Sequence, residues 1–147
     1  MIVPYANATS GLRAREEIHK ILQRFGCEAV GFMDEYATHS VLLAFRHRGR
    51  NVQLRASAQG WAVAWLKENP WGYKRRSTKQ EWEQQALAQG MKAINSILRD
   101  WVKGQITAVE TGILEFGHVF MPYMLTEDGR PVIEHMQKLL PPPKESA

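Results

Sequence analysis

The chain has 147 residues, a hydrophobic content of 44%, a charged content of 23% and a net charge of +4. This composition is typical of one globular domain with a core of its own, and it excludes a highly charged disordered chain. The single cysteine, Cys27, excludes an internal disulfide, and no run of about 18 apolar residues predicts a membrane-spanning helix. Because residues 1–10 do not resemble a secretory leader, we expect a cytoplasmic protein, and its basic charge favours acidic partners.

The first part of the chain predicts an arm over residues 1–9, followed by a helix. Thr9 or Ser10 can cap this helix, and Gly26 suits a left-handed C-cap. Residues 30–33 are typical of a short strand, and residues 34–38 of a polar turn. The predicted apolar stripe of the helix consists of Leu12, Ile18, Ile21, Leu22 and Phe25.

Alternating residues predict a β-hairpin over residues 41–55, with Gly49 supplying a positive φ in its turn. Its inner face is predicted to be apolar and consists of Val41, Leu43, Phe45, Val52 and Leu54. Its outer face and tip are predicted to be cationic and carry Arg46, Arg48, Arg50, Gln53 and Arg55.

After the hairpin the sequence predicts three helices, with a loop over residues 71–76 and a turn over residues 127–129 between them. A short helix that begins at Ser57 or Ala58 ends before Pro70, and Thr78 with Glu81 is the pattern of a capping box. A long helix follows over residues 79–103, with Gly104 either ending it or lying inside it. Its predicted buried stripe is Trp82, Leu87, Met91, Ile94, Leu98, Trp101 and Val102.

Pro131 suits the first residue of a last helix, before a loose tail over residues 141–147. The apolar residues predicted to pack back on the core are Val132, Ile133, Met136, Leu139 and Leu140. The predicted fold is therefore a single α+β domain over residues 1–147. An antiparallel sheet of about three strands is backed by two main helices in a helix–β–β–β–helix core, with extra C-terminal helices.

Residues 41–79 form a basic stretch with nine cationic residues against one acid, whereas the rest of the chain is net acidic. Clustered cations with aromatic rings among them can bind phosphates and stack on unpaired bases. The residues predicted to contact nucleic acid are Arg46, Arg48, Arg50, Arg55, Trp71, Tyr73, Lys74, Arg75, Arg76 and Lys79. The alternative is a solvated sheet face beside a charged surface loop, with Trp71 and Tyr73 packed onto the core.

The sequence predicts no catalytic residues, no cofactor and no metal site. Its five histidines lack metal-ligand spacing, and Cys27 follows a helix C-terminus, which disfavours a thiolate nucleophile. A metal-dependent nuclease with the same order of elements needs a carboxylate on the second strand and an acid and a lysine on the third. The third strand instead carries Gln53-Leu54-Arg55, so we expect a protein without enzymatic activity.

Short motifs are spread over nearly the whole chain. They are Tyr5-Ala6, Arg15-Glu16-Glu17-Ile18, Phe25-Gly26, residues 45–50, Leu98-Arg99-Asp100-Trp101-Val102-Lys103, Ala108-Val109-Glu110, Phe116, Phe120, Tyr123 and Asp128-Gly129-Arg130. Through them the chain resembles a family of small tailed-phage and prophage proteins without an assigned activity, although Pro131 stands where that pattern has a threonine. The resemblance implies a role inside the infected cell, in replication, recombination or host takeover.

The predicted topology alone is similar to the core of Rad52-like single-strand annealing proteins and to double-stranded-RNA-binding domains. The latter connect the third strand almost directly to the next helix, whereas residues 57–77 are inserted here. No motif matches either family residue by residue, so the resemblance assigns no binding residue.

These patterns predict a non-enzymatic phage or prophage protein that binds nucleic acid, with single-stranded DNA as its expected partner in recombination or replication. The alternative is an interaction protein whose basic face binds and modulates a host or phage enzyme. A virion or assembly component is a third class. Each is compatible with a homo-oligomer, and none needs a membrane.

Overall fold

A three-stranded antiparallel sheet and its covering helices form an α+β fold, as predicted. The computed structural model describes residues 3–144. Its elements are α1 (Gly11–Phe25), β1 (Ala29–Glu35), β2 (Ser40–His47), β3 (Arg50–Ser57), α2 (Ala58–Glu68), α3 (Lys79–Glu110), α4 (Phe116–Phe120) and α5 (Val132–Met136). Short 3-10 turns follow α4 at Met121–Tyr123 and α5 at Gln137–Leu139. None of the described helices has the length and apolar character needed to cross a bilayer.

Helix α1 has the two caps that the sequence predicts. The hydroxyl of Ser10 accepts a hydrogen bond from the Arg13 N–H, and Gly26 adopts a left-handed φ of +106°. Ile18 and Leu22 are buried, but Leu12 is 76% exposed, so its place in the predicted stripe is wrong. The reason is that the neighbouring Gly11 faces Asn95 of α3, which turns Leu12 towards solvent.

The sheet has the strand order β1-β2-β3, and β1 is longer than predicted. Asp34 and Glu35 pair with Val41 and Ser40, so the predicted turn over residues 34–38 begins too early. The carboxylate of Asp34 binds the guanidinium of Arg15 at 2.5 Å, which attaches β1 to α1. The ion pair between Arg15 and Asp34 therefore lies in a part of β1 that the polar sequence predicted to be a turn.

The hairpin between β2 and β3 closes through a two-residue turn, Arg48-Gly49, in which both φ angles are positive, at +50° and +79°. This turn class matches the twist of the flanking strands. Arg50 pairs with His47 in the register, which places it on the same side of the sheet as Val52. Arg50, which the sequence assigned to the outer face and tip together, therefore lies at the tip but on the inner side of the sheet, as the first residue of β3.

The main core lies between the inner face of the sheet, α1 and the second half of α3. The five predicted inner-face residues of the hairpin are all buried, which confirms that part of the prediction. Leu98, Val102 and Ile106 of α3 pack there with Phe120 and Met124 from the C-terminal region. A second cluster joins Val3, Val41, Ala58, Trp61, Ala93 and Ile94 at the other end of the sheet.

Helices α2 and α3 pack as an antiparallel pair around one close contact. A Cβ atom on Gly90 would lie 2.7 Å from the carbonyl oxygen of Ala58, so only glycine permits this approach.

Gly104 lies inside α3, with nothing within 4 Å of its Cβ position, and the helix continues to Glu110. At the start of α3, the Thr78 hydroxyl accepts a hydrogen bond from the Glu81 N–H at 3.1 Å.

The described part of the N-terminal arm lies against the helices. Tyr5 donates its hydroxyl hydrogen bond to Asp100 at 2.5 Å, and Trp61 donates its indole N–H to the Pro4 carbonyl at 3.0 Å. The rest of the predicted arm, residues 1–2, lies outside the described residues. So do residues 145–147 of the predicted tail.

The sequence predicts that the apolar residues of the C-terminal helix pack on the core, and for most of them this prediction is wrong. Only Val132 contacts the core, whereas Ile133, Met136, Leu139 and Leu140 are exposed. The inner face of the sheet is already covered by α1 and α3, so no core surface is left for them. Met121, Ile133, Met136 and Leu140 line an open groove of about 530 Å³ and form an exposed C-terminal apolar face.

Replacing Gly90 by alanine tests the α2–α3 contact. Alanine normally favours a helix over glycine by about 1 kcal/mol. At this position the added methyl would overlap the Ala58 carbonyl, so we expect Gly90→Ala to destabilise the protein by about 1–3 kcal/mol in urea unfolding. The matched control, Gly104→Ala, has free space around the new Cβ and should be stabilising. Equal effects of the two substitutions would contradict the close approach.

Candidate nucleic-acid interface

The ten residues predicted to bind nucleic acid lie in three separate places. Arg46 and Arg55 lie on the outer face of the sheet, and Arg48 and Arg50 lie at the hairpin tip. The other six belong to the α2–α3 loop (residues 69–78) and the first residue of α3. They are Trp71, Tyr73, Lys74, Arg75, Arg76 and Lys79.

The two arginines of the outer sheet face already have carboxylate partners. Arg46 donates its Nε–H to Glu28 at 3.0 Å. Arg55 binds Glu35 through two nitrogens, with an Nη2 to Oε1 distance of 2.8 Å, and these hydrogen bonds lower the pKa of the Glu35 carboxyl. The outer face that the sequence predicts to be cationic is therefore largely balanced by the two acids.

The guanidinium groups at the hairpin tip are different. Arg48 is exposed and has no ion-pair partner within residues 3–144. Arg50 donates one N–H to the sulfur of Met124 at 3.7 Å, and a thioether is only a weak acceptor. These two cations lie close to His47, whose ring stacks on Phe25 and contacts Phe116 at a tilt, with centroid distances of 4.8 and 4.5 Å.

The α2–α3 loop holds one aromatic ring in place and exposes another. Trp71 is half-buried and donates its indole N–H to the Ser77 carbonyl at 2.8 Å. Tyr73 contacts the Trp71 ring edge-on, with the centroids 5.1 Å apart, and is 96% exposed. Trp71 thus serves to shape the loop. The solvated-loop alternative required Tyr73 to pack onto the core. The exposure of its ring shows that it does not.

Arg75 has a structural contact that the sequence did not reveal. Its guanidinium lies 4.0 Å from the centroid of the Trp82 ring, and its Nε–H donates to the Pro70 carbonyl. Trp82 in turn packs against Trp65 at 5.2 Å and donates its indole N–H to the Asn69 carbonyl. The helical period predicted Trp82 in a buried stripe, but the ring is half-buried and orders the loop.

These rings border an open groove of about 390 Å³ between the two helices. Its lining includes Leu66, Pro70, Trp71, Tyr73 and Trp82, with Lys79 and Glu83 as its charged members. Lys74, Arg76 and Lys79 are exposed, and in the described part of the chain none of the three has a carboxylate partner. The positive end of the α3 dipole lies at the same place.

The loop and the hairpin tip lie at opposite ends of α3. The loop directly precedes Lys79, whereas the tip lies beside Phe116 and Met124, which pack with Leu98, Val102 and Ile106 in the second half of α3. Since an α-helix rises 1.5 Å per residue, Lys79 and Leu98 are separated by roughly 30 Å along the helix axis. The basic stretch is continuous in sequence but forms two separate cationic surfaces.

The described residues show no metal-binding constellation. Within residues 3–144, no group of three or more histidine, cysteine, aspartate or glutamate side chains could hold a metal ion. Asp34 and Glu35 are occupied by Arg15 and Arg55. Burial raises the pKa of the Cys27 thiol to about 11, so this side chain is a poor nucleophile near neutral pH.

Comparison with known proteins returns no relative. No family model matches the chain, and no significant match is found among curated proteins or solved structures. The resemblance to phage proteins therefore stays a prediction.

The pairing of Arg55 with Glu35 predicts a pH-dependent stability. Because the pKa of Glu35 is lower in the folded state, its contribution is present above the ordinary carboxyl pKa of 4.5 and is lost as the pH falls through the lowered value. We expect wild type to melt above Glu35→Gln at neutral pH and the difference to vanish in acid. A difference that persists below the lowered pKa, where Glu35 is protonated even in the folded protein, would contradict the ion pair.

The left-handed conformation of Arg48 predicts that a smaller residue stabilises the hairpin. A positive φ costs a side chain such as arginine about 1 kcal/mol, and asparagine tolerates it better. Arg48→Asn should therefore raise the melting temperature. Arg50→Asn, at the first position of β3, should give no such gain.

Proposed function

We propose that the α2–α3 loop binds single-stranded nucleic acid. One observation carries the proposal: Tyr73 is almost fully exposed beside an anchored Trp71, with the unpaired cations Lys74, Arg76 and Lys79 around it. An exposed ring offers a stacking platform for an unpaired base, and nearby cations hold the phosphates on either side. In this proposal the protein is non-enzymatic and acts on phage or prophage single-stranded DNA, in recombination or replication inside the bacterial cell.

The loop supports this activity because its shape is set before a ligand arrives. The Trp71 indole is held by the Ser77 carbonyl, and Arg75 is held between the Trp82 ring and the Pro70 carbonyl. Binding therefore needs little ordering of the backbone, which would otherwise reduce affinity. The free side chains that move to meet the ligand are Tyr73 and the three unpaired cations.

A single strand fits this surface better than a duplex. Bases in a duplex are stacked on one another, so an isolated exposed tyrosine can stack only on an unpaired base or a strand end. The groove offers rings and a few charges but no array of polar side chains arranged to read base edges. We therefore expect binding with little sequence preference.

The alternative, a protein partner with an acidic cleft, would use the same cations. Such a partner would not need the Tyr73 ring for stacking on a base. The protein would then show no salt-dependent binding of oligonucleotides. Substitutions of the cations and of the exposed ring separate the two alternatives.

Replacing the loop cations should change the salt dependence of binding. Each cation that no longer binds a phosphate should flatten the slope of log K against log salt by about 0.7 for a single strand. We expect this of Lys74→Gln, Arg76→Gln and Lys79→Gln, measured by fluorescence anisotropy of labelled oligonucleotides. Lys103→Gln, an exposed lysine in the other half of α3, is the matched control and should leave the slope unchanged.

Removing the exposed ring should change affinity but not the salt slope. Tyr73→Ala should weaken single-strand binding by about 1–3 kcal/mol, because stacking releases no counterions, whereas Tyr73→Phe should retain it. Since Tyr73 is 96% exposed, neither substitution should lower the melting temperature. Oligonucleotide binding that is insensitive both to Tyr73→Ala and to the cation variants would remove the proposal and favour a protein partner.

A further inference from the structure

The hairpin tip contains a pocket that is separate from the groove of the α2–α3 loop. It lies between the β2–β3 turn and the start of α4, and has a volume of about 360 Å³. Its lining is His47, Arg48, Arg50, Phe116, Gly117 and Met124. Three nitrogen-bearing side chains thus line one opening, and no carboxylate is among the lining residues.

The two arginines of this pocket have N–H groups that donate no hydrogen bond within the described residues. A guanidinium has five N–H donors; Arg50 uses one on the weakly accepting sulfur of Met124, and Arg48 uses none within the described residues. Glu28, an acid that contacts the turn, is engaged by the Arg46 guanidinium and by the backbone N–H of Gly49. Glu28 therefore does not neutralise either arginine through a direct contact. Two free guanidinium forks match the oxygen geometry of a phosphoryl group.

The third group of the pocket, His47, is held rigidly. Its ring stacks on Phe25 and contacts Phe116 at a tilt, and burial, with a further effect of the Arg48 charge, lowers its pKa. It is therefore neutral at physiological pH, when one ring nitrogen can donate a hydrogen bond. A fixed neutral donor beside two cations completes a set of groups suited to an anion.

The backbone supports a binding role for Arg48. The residue occupies a left-handed turn position where asparagine or glycine would be more stable, and its side chain makes no hydrogen bond, ion pair or ring contact in the described chain that would offset the difference. Residues held in unfavourable backbone regions are concentrated at ligand-binding positions.

We propose that this hairpin-tip pocket binds a phosphoryl group through Arg48, Arg50 and His47. The phosphoryl group can be free, as inorganic phosphate, or be carried at the end of an oligonucleotide. The site is independent of the α2–α3 loop, since the two lie at opposite ends of α3. Either one can therefore fail without the other.

The first test is a titration of the full chain with inorganic phosphate, followed by amide NMR at ionic strength held constant with chloride. Saturable shifts are expected for residues 47–50 and 116–117, and no comparable shifts in the α2–α3 loop. Arg48→Asn, which suits the turn backbone, should weaken binding at least about tenfold, because it removes a charged hydrogen bond. The double variant Arg48→Asn/Arg50→Gln should abolish the shifts. Arg46→Gln, at an arginine already paired with Glu28, is the matched control and should leave them intact.

The second test identifies the source of the phosphoryl group. Single-stranded oligonucleotides that differ only in a 5′-phosphate or a 5′-hydroxyl are compared, using the chain with Lys74→Gln and Arg76→Gln so that the loop contributes little. Tighter binding of the phosphorylated strand, abolished in the Arg48→Asn/Arg50→Gln background, supports a strand end as the ligand. Shifts with inorganic phosphate and no preference between the strands support a free phosphate. Absence of both effects, or shifts that survive the double variant in a folded protein, would overturn the proposal.

Discussion

The position of α3 is the constraint on which the rest of the structure depends. Its second half packs through Leu98, Val102 and Ile106 against the sheet and α1. Its first half lies against α2 at a separation that Gly90 permits, because any larger residue would meet the Ala58 carbonyl. One rigid helix therefore fixes both the loop before its first residue and the C-terminal region beyond its last. That geometry divides the basic residues into two surfaces that local sequence presents as one.

Much of this fold could be predicted because local signals and packing agree. Ser10 and Gly26 bound α1, Ser57 and Thr78 cap α2 and α3, and strict alternation fixes the inner face of the hairpin. Each of these signals depends on residues within one turn or one strand pair. The small buried residues of α3, such as Ala86 and Ala93, gave no hydrophobic signal, since a helix packed on several sides buries more than one stripe.

The candidate site was only partly predictable, because its properties come from contacts between distant residues. The sequence identifies arginines, but not that Arg46 and Arg55 are paired with Glu28 and Glu35 while Arg48 is unpaired. Composition likewise could not separate Trp71, which anchors the loop, from Tyr73, which is exposed. The same limit explains the last helix, whose apolar residues looked like core although the sheet had no uncovered inner surface for them.

The C-terminal apolar face gives this protein two surface types with opposite responses to salt composition. Contacts between cations and phosphates weaken as ionic strength rises, because the ions screen them. Burial of Met121, Ile133 and Met136 is instead strengthened by sulfate and similar excluded salts. If the proposed function holds, ammonium sulfate at high concentration should weaken binding of nucleic acid at the basic surfaces while promoting self-association through the apolar face. The choice of salt, and not only its concentration, will decide which surface governs the protein's behaviour in solution.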